Sequence, residues 1–224
     1  LITSSILSKK IASGLSSLVL DVKVGNGSFN STIDIARDLS NSLVRVAKGA
    51  GLHCEAILTD MNQVLGKSAG HTLEILECIK YIKNDFKDHR LEKITNELIS
   101  SLLVNIYKIS KEEAYNKINT VINNGLAAEK FEMMVAALGG PKNILSSYEK
   151  DLINTSVRKD VFSSEQGWIE KIHTRELGLI LIELGGGRKQ VTDKIDYGVG
   201  YDNVLNIGDE VNSSTPLLSL YSNK

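Results

Sequence analysis

The sequence predicts an α/β protein, and three observations carry that reading. An apolar, β-branched run at 17–24 is followed by a glycine turn, an amphipathic stretch and a second apolar run at 53–59. That order is strand, helix, strand, and such a connection is a right-handed crossover between parallel strands. From about residue 156 the composition changes to short β-like runs around one helical stretch, which reads as a separate α+β domain. The chain's 224 residues, 42% of them hydrophobic, suffice to bury a core without disulfide or metal staples.

Each element follows from spacing. Residues 3–14 carry Ile6, Leu7 and Ile11 at helical intervals, with Leu15 beyond and Gly14 as the stop. Residues 17–24 are apolar enough for a strand covered on both faces of a parallel sheet. Ile35, Leu39, Leu43, Val46 and Ala47 return every three or four residues across 31–50, where Gly49 and Gly51 end the run. After the second strand come helices at about 71–83, 90–106, 110–124 and 126–138, broken by Gly139-Gly-Pro141. Short β-like runs at 157–162 and 168–172 and a helix at 174–184 follow. Gly185-Gly-Gly-Arg188, an Ile207-Gly-Asp-Glu-Val211 turn and Pro216-Leu-Leu-Ser-Leu-Tyr221 close the chain.

Composition excludes several classes of function. A net charge of −1 with 24% charged residues gives no electrostatic case for nucleic acid or an anionic membrane, so the expected partner is a small molecule. Cys54 and Cys78 are too few for a disulfide framework or a zinc cluster and read as reduced thiols of a cytoplasmic protein. No apolar run reaches the ~20 residues of a membrane span. The first residue is not Met and the opening reads as a helix without a cap, so the chain is expected to be a fragment.

The familiar chemical motifs fail one by one. Gly66-Lys-Ser68 lacks the upstream glycine of a P-loop, and Asn30 stands where a dinucleotide-binding fingerprint needs its third glycine. Gly-x-Ser-x-Gly does not occur. His53, His71, His89 and His173 are scattered without zinc-ligand spacing. Glu74 and Glu77 at i, i+3 read first as a solvated helix face. Ser5 and Lys9, at i, i+4, project from one side of the first helix, either as a polar outer face or as a hydroxyl and an ammonium offered together.

Four separated segments, taken together, resemble the thymidine phosphorylase / pyrimidine-nucleoside phosphorylase family. They are Ser5-Ile-Leu-Ser-Lys-Lys10, Leu20-Asp-Val-Lys-Val-Gly-Asn-Gly-Ser-Phe29, Leu58-Thr-Asp-Met-Asn-Gln63, and Gly185-Gly-Gly-Arg188 with Ile195-Asp-Tyr197. The resemblance runs along essentially the whole chain. It implies phosphorolysis, thymidine plus phosphate giving thymine and 2-deoxyribose 1-phosphate, with no cofactor required. It also implies that Ser5 and Lys9 hold the polar edge of the pyrimidine, Ile2 lines the same pocket and Phe29 forms its wall. Gly25 and Gly27 then bend the chain to present Phe29 and are not a phosphate cradle. Leu65, Ser68 and Glu77 match positions that bind a potassium ion in some members, two through carbonyls and one through its carboxylate.

The resemblance divides the chain into 1–15, a helix of a small α-helical domain; 16–150, part of the α/β domain; and 151–224, an α+β C-terminal domain cut short. The closing hairpin is similar to a lipoyl-like barrel-sandwich, with no lysine at its tip. The family's phosphate loop and the arginine completing the base site are expected upstream of Leu1, so these 224 residues alone are expected to lack phosphorolytic activity. Implied substrates are phosphate and thymidine, with uridine or deoxyuridine as alternatives, and the implied assembly is a homodimer. Gly185-Gly-Gly-Arg188 reads as a tight connection, with Arg188 tying domains together, more readily than as an anion site. Two rivals stand beside this reading: an anthranilate phosphoribosyltransferase-type enzyme, and a non-catalytic remnant or interaction module.

Overall fold

The structure, a computed structural model, describes residues 1–152 and 155–223. It is α/β, as the sequence predicts. Helix α1 (Ile2–Ala12) leads through Gly14, whose φ of 68° makes the left-handed stop, into strand β1 (Ser17–Val24). Helix α2 (Ile33–Gly49) starts where the Thr32 hydroxyl accepts from the Ile35 amide at 3.4 Å, and it returns the chain to β2 (His53–Asp60). β1 and β2 pair in parallel, Ser17 opposite His53 through Val24 opposite Asp60. Among the described residues this sheet has two strands, so β1 is mostly half-buried and only Val22 is fully covered. The continuous apolar run therefore overstates the covering of β1.

Helices α3 (His71–Ile82), α4 (His89–Tyr107), α5 (Lys111–Asn123) and α6 (Leu126–Ala137) fall where spacing places them. A further helix, α7 (Ile144–Leu152), was not anticipated, because Gly139-Gly-Pro141 reads as the end of the helical region. Strand β3 (Val157–Phe162) matches its run. Of the second run only Trp168 lies in a strand, β4 (Gly167–Trp168). Helix α8 (Thr174–Leu181) passes into a wider π turn at Ile182–Gly186 where the glycines begin. Strands β5 (Gly200–Asp202), β6 (Glu210–Val211) and β7 (Pro216–Ser222) finish the chain. They form a three-stranded antiparallel sheet in the order β3, β7, β5 and a pair of β4 with β6. A short triad strand such as β5 carries too few residues for periodicity to mark it.

Packing groups residues 1–62 with 92–119 and residues 63–91 with 120–224 as two compact units, the divide falling within α4 and α5. These units are not the ranges 1–15, 16–150 and 151–224, which rest on composition and resemblance. In the first unit Leu7 of α1 joins Leu43, Ala47, Leu52 and Cys54 in one core. In the second, Leu73, Leu76 and Ile79 of α3 pack with Ile144 and Tyr148 of α7, and Val64 packs with Tyr201 and Val204. Ala69 bridges to Tyr201 through paired backbone hydrogen bonds of 3.0 and 2.7 Å. Gly70 makes this crossing possible: at φ 119° a Cβ there would lie 2.5 Å from the Val199 carbonyl oxygen.

Candidate active site

Two inward contacts fix the outward face of α1. Leu7 is buried, Thr3 Oγ1 meets Ser42 Oγ of α2 at 3.0 Å, and the opposite side then carries Ile2, Ser5 and Lys9 in adjacent turns. All three are exposed, Ile2 by 61%. Among the described residues no hydrogen bond or ion pair claims the Ser5 hydroxyl or the Lys9 ammonium. A hydroxyl and an ammonium one turn apart, both uncommitted, can receive the polar edge of a planar ring.

The glycine turn after β1 is held by its own residues and by the end of β2. Gly25 N donates to Asn30 O at 3.0 Å, Asn26 N to Asn62 Oδ1 at 2.9 Å, Gly27 N to Met61 O at 2.9 Å and Ser28 N to Gly25 O at 3.0 Å. An anion site needs such amides free, so this turn is not a phosphate cradle. Gly25 itself is forced: its φ is 131°, and a Cβ would stand 2.7 Å from Asn62 Oδ1 and 2.8 Å from Asn62 N. The Ser28 hydroxyl and Asn30 Nδ2 both donate to Lys23 O, at 2.7 and 2.9 Å, and close the far side of the loop. Phe29 is left at the tip, 97% exposed.

Asn62 is the residue that sequence reasoning missed. Its Nδ2 donates to Asp60 Oδ1 at 2.6 Å, and its own amide donates to the same oxygen at 3.0 Å, so the end of β2 holds the side chain that holds the turn. The quoted Thr-Asp-Met-Asn-Gln segment contained it, but spacing alone does not reveal that Asn62 reaches across to residue 26. Asp21 and Lys23, on β1, are committed to local partners: Thr59 Oγ1 donates to Asp21 Oδ1 at 2.5 Å, and Lys23 Nζ lies 2.5 Å from Asp21 Oδ2.

The cation candidates lie in the second unit. Glu77, buried on α3, accepts from the Lys67 amide at 2.8 Å, from the Ser68 amide at 3.1 Å and from the Ser68 hydroxyl. Ser68 and Glu77 are thus brought together. Leu65 is oriented otherwise: its carbonyl accepts from Arg90 Nη1 at 3.0 Å, and the same Nη1 donates to Val64 O at 2.6 Å. The oxygens suit a hard monovalent ion in type. A guanidinium on one of them and three donors on the carboxylate do not suit its charge. The residues present therefore do not fit a potassium ion as a trio.

Arg188 closes a local loop. Its Nε donates to Asp193 O at 3.2 Å, and the amides of Lys189 and Gln190 donate to Asp193 Oδ2 at 2.9 and 3.0 Å. That corrects the reading of Arg188 as a tie between domains. Among the described residues no group of three metal-ligating side chains is found, and no helix is long and apolar enough to cross a membrane. Both cysteines are free, and burial pushes the Cys54 thiol up from its ordinary pKa.

Comparison with known proteins sets these observations beside known enzymes. Residues 168–224 match the pyrimidine nucleoside phosphorylase C-terminal domain. Over 223 residues the chain is 45% identical to the thymidine phosphorylase of Colwellia psychrerythraea, a match covering 99% of this chain and 51% of that protein. The chain spans about half the length of the curated relative it matches. With a C-terminal domain of that type and this identity along its length, the chain is similar to thymidine phosphorylase and the pyrimidine-nucleoside phosphorylases.

Proposed function

We propose that the chain serves phosphorolysis of pyrimidine nucleosides as part of a pentosyltransferase, converting thymidine and phosphate to thymine and 2-deoxyribose 1-phosphate. The observation that carries this reading is the uncommitted pair on α1, Ser5 Oγ and Lys9 Nζ, in a chain 45% identical to a thymidine phosphorylase. As the glycosidic bond breaks, the sugar gains oxocarbenium character and the departing base gains negative charge. An ammonium placed at the base edge stabilises that charge more in the transition state than in the ground state, which is the condition for accelerating the step. Ser5 orients the ring by hydrogen bonding, Ile2 covers it, and Phe29 packs against it from the glycine turn. No covalent intermediate is needed; positioning and charge do the work.

The test replaces the matching half of the Colwellia protein with residues 1–224 and follows phosphate-dependent base release from thymidine and uridine side by side. The chimera releases thymine, and Lys9→Gln lowers kcat/KM roughly ten- to hundredfold, the span of one charge-assisted hydrogen bond. A folded chimera that releases no base, or one indifferent to Lys9→Gln, overturns the reading. Full-length association as a homodimer and a cytoplasmic setting complete the proposal; sedimentation of the intact protein checks the first.

A further inference from the structure

Arg90 occupies an electrostatically poor place for a cation. It lies in the first turn of α4, against the positive end of the helix dipole, two residues after the one that caps it: Asp88 Oδ1 accepts from the amides of Arg90 and Leu91 at 3.0 and 2.9 Å. A lysine or arginine in a first turn weakens a helix unless something nearby rewards it. Here the reward is two carbonyl oxygens, Val64 O at 2.6 Å and Leu65 O at 3.0 Å, both approached by Nη1. Buried carbonyls left without a donor are costly, and a charged donor satisfies them more strongly than a neutral one.

The segment that supplies these carbonyls is the one that also delivers the Lys67 and Ser68 amides to the buried Glu77 carboxylate. It is therefore a short loop with its amides gathered on an anion and its preceding carbonyls gathered on a cation. We propose that the Arg90 guanidinium is the resident cation of this loop, holding the Val64 and Leu65 carbonyls in place of a monovalent metal ion, so that the loop needs no potassium. The guanidinium is fixed by its own chain and repels a second cation from the same oxygens. This inference concerns the loop's architecture and is independent of the reaction proposed above.

Thermal unfolding of the protein in potassium chloride, against tetramethylammonium chloride at equal ionic strength, tests it. Potassium leaves the midpoint of the unaltered protein where tetramethylammonium leaves it. Arg90→Gln melts lower by roughly 3–10 °C, the size expected for lost charged hydrogen bonds in a chain of this length, and potassium alone restores part of the loss. A saturable, potassium-specific rise in the unaltered protein overturns the proposal. So does an Arg90→Gln variant that melts unchanged, or one that melts lower without any response to potassium, which would leave Arg90 a packing role only. Should Arg90→Gln fail to fold, the unaltered protein decides alone: no potassium-specific rise upholds the proposal, and a rise overturns it.

Discussion

Asn62 and Gly25 depend on each other. The side chain of one fills the space that a Cβ on the other would need, and the same side chain anchors the next amide. Gly25→Ala therefore meets both a positive φ and a backbone-lined clash, and we expect a loss of about 2–4 kcal/mol, read as a lowered denaturation midpoint. Asn62→Ala leaves the glycine unstrained but releases the turn. Its expected signature is a raised KM for nucleoside with little change in stability, measured in the active chimera. Phe29 shows why such positions matter. With almost the whole ring in water, its placement comes from the backbone beneath it and from nothing packed around it.

In α1 the sequence is legible in part. The stop at Gly14 and the inward Leu7 follow from a left-handed glycine and helical spacing, which act locally, whereas Ile11 and Leu15 of the same spacing stay exposed. Leu7 fixes which way the helix faces. Leu7→Ala opens a cavity in the core shared with Leu43 and Cys54, costs about 2–5 kcal/mol, and loosens α1 from α2, which hydrogen exchange of the α1 amides will register. What periodicity did not reveal was tertiary. The 168–172 run reads as a strand, yet its ladder ends after Trp168, which is 70% exposed, and α7 follows a proline that reads as a stop. The Arg90 and Asn62 contacts likewise join residues about 25 to 36 positions apart in sequence, and no local pattern records them.

Helices α4 and α5 share one pH-sensitive contact. Glu97 of α4 accepts from Lys111 Nζ at 2.9 Å, and that hydrogen bond, ahead of every other influence, holds the Glu97 pKa below its ordinary value. A carboxyl depressed in the folded state contributes stability above the unfolded carboxylate range and loses it as pH falls through the folded value. Glu97→Gln should therefore flatten the acid limb of the unfolding-midpoint profile while leaving the neutral region nearly unchanged, since an exposed pair contributes little. An acid limb identical in the variant would show that the pair does not survive in solution.

At the scale of the whole molecule, the family's C-terminal domain is not a free-standing piece. The matched region is 168–224, yet β7 takes a central place in its sheet by pairing with β3 at Val157–Phe162, outside that region. Residues 168–224 produced alone would leave one edge of β7 unpaired and Tyr201 without its partner at Ala69. We expect that peptide to lack a cooperative thermal transition, whereas the full 224 residues unfold with one or more sharp transitions by circular dichroism. A sharp transition in the short peptide would show that the matched region carries its own fold.

The bridge from Ala69 to Tyr201 also sets a clock. On a ribosome adding ~5–20 residues per second, the hydrogen-bonding groups around Ala69 emerge about 7–26 s before the strand that satisfies them, because roughly 130 residues must be made in between. Throughout that interval the nascent chain carries an open backbone edge beside apolar Val64. Slowing translation within that stretch should increase capture of the growing chain by holdase chaperones, a cost written into the topology.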